Sequence, residues 1–188
     1  MTASRKRRIT TAVAAAGVLS LAGTAATYAA SPAASHHGTI RFWVTPGHGA
    51  VDQILITGAI GDYGKATSID KDGKVDQNGD YVKVALKHGG FRVNAKSFND
   101  KAAKQQPHLD AATCSAWLTP TGSITLYDGY GNYAGISGKL SITTSYAFIG
   151  SRYKSGPHKG QCNVNGNAEP VAEFSGSITG SGKASWNG

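Results

Sequence analysis

Residues 123–149 constrain the chain most, because they read as strand, glycine corner, strand. Ile124 and Leu126 alternate with Ser123, Thr125 and Tyr127. Beyond the corner, Leu140, Ile142, Tyr146 and Phe148 alternate with Ser141, Thr143, Ser145 and Ala147. A two-residue period turns one set of side chains toward a core and the other toward water. Gly129, Gly131, Gly135 and Gly138 stand between the two runs, where a chain must take positive φ or let another backbone come close. Gly129-x-Gly131-x-x-Ala134 also approaches the dinucleotide fingerprint, but that motif needs a helix after its first strand to bring an N-terminus to phosphate. A strand follows here, so the corner is read as structural and no cofactor is expected.

The same alternation recurs along the chain. Strands are read over 39–44, 53–60, 81–87, 91–96, 112–118, 123–127, 138–149 and 171–186, the last interrupted by Gly180 and Gly182. Residues 97–106 form the one helix candidate, with Ser97 or Asn99 able to cap it and Pro107 to stop it. Residues 61–80 are a long polar excursion. Its Asp70, Asp72, Asp76, Asn78 and Asp80 invite a calcium reading, but counting from Asp76 the glycine position of a calcium loop falls on Tyr81, and Lys71, Lys74 and Lys83 oppose a cation. Asp72-Gly73 and Asn78-Gly79 are tight-turn pairs instead. The fold class is therefore all-β: an eight-stranded antiparallel up-and-down β-barrel, or alternatively a two-sheet β-sandwich. Closure would remove the edge strands that an exported protein has to protect.

The run Asp-Gly-Tyr-Gly-Asn-Tyr-Ala-Gly-Ile-Ser-Gly at 128–138 resembles the Gly-x-Gly-x-(Tyr/Phe)-x-Gly-x-x-Gly signature found late in barrels of the allene oxide cyclase and dirigent type. Upstream, Thr57-Gly58-Ala59-Ile60-Gly61-Asp62-Tyr63-Gly64 is similar to the Gly-Asp turn after an early strand of those barrels, so the likeness spans roughly residues 54–174. The resemblance implies an allene oxide cyclase-like barrel. It also implies a cyclase or isomerase in which a shaped apolar cavity folds a reactive substrate. The plant enzymes' catalytic residues match no motif here, and none is assigned.

Arg5, Lys6, Arg7 and Arg8 precede an apolar run over 12–26, followed by small residues at Thr27, Ala29 and Ala30. This is the pattern of a Sec-type signal peptide over 1–29, and the interrupted, short run argues against a permanent anchor. Residues 30–38 are expected to be a disordered tail and 39–188 the barrel domain. Of the formal charge of +8, the leader carries four basic residues, leaving 15 basic against 11 acidic, or +4. The remaining lysines are scattered, so no nucleic-acid partner is expected. Secretion without stable membrane insertion is the expectation once the leader is removed.

Cys114 and Cys162 are the only cysteines, and export would carry them into an oxidising space, where they are expected to pair. A zinc site using His158 and Cys162 would want further ligands at close spacing, and His36-His37 lack a third. No metal is expected.

Chemistry-bearing patterns are sparse. No Gly-x-Ser-x-Gly elbow accompanies the six histidines. Glu173 in a strand either faces water or enters the barrel, where its pKa would rise; the first is preferred because Ala172, Phe174 and Ile178 read as the inner face. Trp43, Trp117 and Trp186 are placed on outer faces. Tyr63, Tyr130 and Tyr133 flank the glycine corners and could rim a barrel mouth, although Tyr133 reads as corner packing. The residues expected to meet a ligand are Tyr63, Leu140, Ile142, Tyr146 and Phe148, opposite Val82, Val84, Phe91 and Val93, or else these residues fill the interior by themselves. The function expected is a non-enzymatic protein binding a small apolar molecule or another surface; the alternative is the cyclase or isomerase.

Overall fold

The computed structural model describes residues 35–47, 49–163 and 173–188. The expected signal peptide and the start of the tail lie outside these residues, as does the side chain of Glu173. Among the described residues the strands in chain order are β1 (Ser35–Thr45), β2 (Val51–Gly58), β3 (Asp62–Ile69), β4 (Tyr81–Leu86), β5 (Gly89–Asn94), β6 (His108–Asp110), β7 (Ser115–Leu118), β8 (Thr121–Gly131), β9 (Ser137–Ile149) and β10 (Glu173–Asn187), with one helix, α1 (Lys96–Ala102), after β5.

β1 through β5, then β8, β9 and β10, pair in that order, each antiparallel to the next. β10 closes the ring: it pairs with β1 from Ser35↔Asn187 to Val44↔Ile178, and with β9 from Glu173↔Ile149 to Ser185↔Ser137. The result is a closed eight-stranded antiparallel barrel with two extra strands, so the barrel expectation holds and the sandwich is set aside. β7 pairs with the upper part of β9, Tyr146–Ile149, while β8 takes the lower part as far as Thr143; the chain crosses between them at Pro120, whose carbonyl accepts from the Thr144 N–H. β6 pairs only with β7.

The expected count of eight is right with one member exchanged. The polar excursion begins with β3, whose inward positions are Asp62, Gly64, Ala66 and Ser68. These are too small or too polar to produce apolar alternation, so the strand was hidden. The expected 112–118 strand shrinks to β7, outside the ring. β1 begins at Ser35 within the expected tail, held by pairing to β10 and by His36 stacking on Trp186 at 5.7 Å. Trp186 is accordingly buried rather than on the outer wall. β10 runs through Gly180 and Gly182 without interruption, because the Phe42 ring and Leu140 lie where side chains there would stand. α1 ends four residues before the expected last helical residue, 106, and has no side-chain cap; Phe98, buried against β8 beside Gly122, holds it instead.

The core is the inward set of the ring, including Ile40, Ile56, Val84 and Leu140, each about 1% exposed. Burying such a side chain contributes about 1.5–3 kcal/mol. Cys114 and Cys162 are bonded, joining the start of β7 to the loop after β9, which Arg152 also grips by donating to the Ala112 and Gly160 carbonyls. With a sequence separation of 48, the bridge is expected to contribute up to about 4 kcal/mol by restricting the unfolded chain. Replacing both cysteines by serine should lower the urea midpoint by a corresponding amount while leaving the barrel's circular dichroism intact. An unchanged midpoint would show that the bridge is not a stabilising element.

Candidate functional site

The two ends of the barrel differ. At one end the β2–β3 turn, the β4–β5 turn and the glycine corner between β8 and β9 meet around Asp62, which is 4% exposed. Its carboxylate accepts from the Tyr133 hydroxyl at 2.7 Å, the Tyr63 N–H at 2.8 Å and the His88 N–H at 3.1 Å, with His88 Nδ1 a further 3.2 Å contact. Burial alone would raise the Asp62 pKa. The Tyr133, Tyr63 and His88 hydrogen bonds outweigh it and hold the group below its ordinary 3.8. Burial, reinforced by Asp62, pushes the Tyr133 phenol up.

The glycines allow this knot to form. Gly131 and Gly135 take φ of 62° and 68°, turning the chain back on itself, and a Cβ on Gly129 would strike the Tyr133 carbonyl. The corner thereby sends Tyr133 inward, edge-on to Phe91. Ile60, Ile136 and Trp186 fill the space around it, and this end is sealed.

The opposite end is open. A cavity of about 710 Å³ runs up the interior to a mouth formed by the β1–β2 turn, the loop before β4, and α1. Its walls are the inward positions of the ring, from Phe42, Ile54 and Val93 to Leu140 and Ile142. The volume falls within the range of small-molecule sites. On β3 the wall is made by Ala66 and Ser68, whose short side chains take up little of that space. The mouth is polar: Asp52, Ser68, Asn78, Asp80, Asn99 and Tyr146 surround it. Burial, and then the Asp52 charge, raise the Tyr146 pKa, so its hydroxyl is a neutral donor at physiological pH.

Leu140, Ile142 and Tyr146 line the cavity, as do Val82, Val84, Phe91 and Val93 facing them. Phe148 does not; it stands beyond the mouth, opposite Ala116 of β7. Tyr63 is 60% exposed on the outer wall, where the register sets it beside Leu55 and Leu55 beside Trp43. It is at the sealed end and touches no interior space, because the strand phase that buries Asp62 turns its neighbour outward. Tyr130 is also exposed. Thr144 and Asp52 were not anticipated as lining residues. Both share the apolar phase of their strands, Thr144 between Ile142 and Tyr146 and Asp52 two residues before Ile54, and that phase was the available signal.

Among the described residues, no three His, Cys, Asp or Glu side chains are grouped to hold a metal ion. No described helix is long and apolar enough to cross a membrane. Compared with known proteins, the chain matches no family model, no curated protein and no solved structure.

The knot has a pH signature. With its folded pKa below 3.8, Asp62 contributes stability that is fully present above that value and is lost as pH falls from it through the folded pKa. Urea unfolding from about pH 6 down to about pH 2 should show a steeper loss for the parent than for Asp62→Asn. At neutral pH, Tyr133→Phe should cost about 1.5–3 kcal/mol, the worth of a hydrogen bond to a charged group. Parallel acid profiles for parent and Asp62→Asn would contradict this role.

Proposed function

We propose that the protein is an exported barrel that binds a small apolar molecule inside its cavity. The single observation that carries this reading is a pocket of about 710 Å³ that is apolar at depth, polar at its rim and open at one end only. A sealed floor and greasy walls bury a ligand's hydrocarbon surface at about 25 cal/mol per Å², while the rim fixes its orientation. The glycine corner's likeness to allene oxide cyclase and dirigent barrels supports the same use of the interior. Export is supported by the leader pattern over 1–29 and is compatible with the Cys114–Cys162 disulfide.

A second reading, the cyclase or isomerase, takes support from Tyr146 and Asp52 at the boundary between wall and rim, a neutral phenol and a carboxylate that could move a proton. The two readings differ in what is recovered from a saturated complex. A binder returns its ligand unchanged, whereas an isomerase returns an isomer of the same mass.

A neutral apolar probe such as 1-naphthylmethanol, at about 100 times its Kd, should raise the melting temperature by about 5–10 °C. Ala66→Phe, which fills the space beside β3, should abolish that rise, and Leu55→Ala on the outer wall should preserve it. No shift in the parent with a panel of such probes would sink the proposal.

A further inference from the structure

The cavity's rim carries information about the head group of its ligand. Two acidic residues, Asp52 and Asp80, line it, and among the described residues no Lys, Arg or His does. The two carboxylates are not equivalent. Asp80 is already engaged, with Lys96 Nζ 3.6 Å away and Asn99 donating at 3.1 Å. Asp52 has no cationic partner among the described residues; its Oδ1 accepts from the Gly47 N–H at 2.9 Å, which fixes the carboxylate at the rim. Opposite Ala66 in register, Asp52 stands on the same strand face as Ile54 and Ile56, so its charge borders apolar wall as well as solvent. Tyr146 is the neighbouring polar group and remains neutral there.

We infer that the cavity selects an apolar monoamine, its hydrocarbon body against the barrel wall and its ammonium group at the rim on Asp52. This rests on the reading of the cavity as a ligand site. An ammonium would give the fixed carboxylate the charged donor it lacks and form a charge-assisted hydrogen bond, which is about twice as strong as a neutral one. A carboxylate ligand of the same body would meet like charge from Asp52 with no lining Lys, Arg or His among the described residues to offset it, so fatty-acid-like molecules are disfavoured.

Three probes with one body separate the two layers of the proposal: 1-naphthylmethylamine, 1-naphthylmethanol and 1-naphthoate, titrated by calorimetry into the full mature chain. The alcohol reports the cavity alone. The amine is expected to bind about tenfold tighter than the alcohol, equivalent to about 1.4 kcal/mol, and the carboxylate weaker than both. Asp52→Asn, which keeps an oxygen for the Gly47 N–H, should bring the amine-to-alcohol ratio to about one. Equal binding of amine and alcohol by the parent would overturn the head-group inference and leave the cavity reading standing, as would a preference that survives Asp52→Asn. Failure of all three probes to bind would remove both.

Discussion

Closure of the sheet by β10 is the constraint on which the rest depends. Its backbone pairs with β1 on one side and β9 on the other, so no strand of the ring is left with an open edge, and every inward phase must share a single interior. Once that interior is enclosed, its contents are set by side-chain size. Phe42 and Leu140 spread over Gly180 and Gly182 of β10, filling what those glycines leave. Ala66 and Ser68 of β3 bring short side chains to the wall of the cavity. The same closure that buries the core therefore also shapes the cavity.

Two aspartates at opposite ends show how context decides what an acid does. Asp62 is enclosed and met by three donors, so its charge is compensated where it lies and it ties three turns into a lid. Asp52 is half-buried at the rim with one backbone donor, which orients it without consuming its capacity. The first is a structural carboxylate whose partners are built into the fold. The second carries no ion pair among the described residues, and its position on the apolar phase of β2 sets it beside the cavity.

Much of this was legible in the sequence, and the failures have physical causes. Strong alternation, as in β4, β5, β8 and β9, identified seven of the eight ring strands, the corner and part of the cavity wall. The cysteine pair was expected from the leader-like pattern and the absence of other cysteines, and the two are bonded. β3 was missed because small or polar inward residues erase the apolar signal, although Ala66 and Ser68 among them line the cavity. Tyr63 and Tyr133 look alike beside glycine turns, yet Asp62 draws Tyr133 inward while strand phase turns Tyr63 out. Phe148 keeps the inward phase but outruns the ring's interior, since a 13-residue strand is longer than the cavity it borders.

The barrel is sealed at the Asp62 end and open at the Asp52 end. Methyl-resolved NMR during titration with a neutral apolar probe tests it most directly. Saturable shifts and probe-to-methyl contacts are expected at Ile54, Val82 and Ile142, with Ile60 and Ile136 unperturbed behind the seal. Contacts confined to Leu55 on the outer wall, or entry past Ile60 and Ile136, would contradict it.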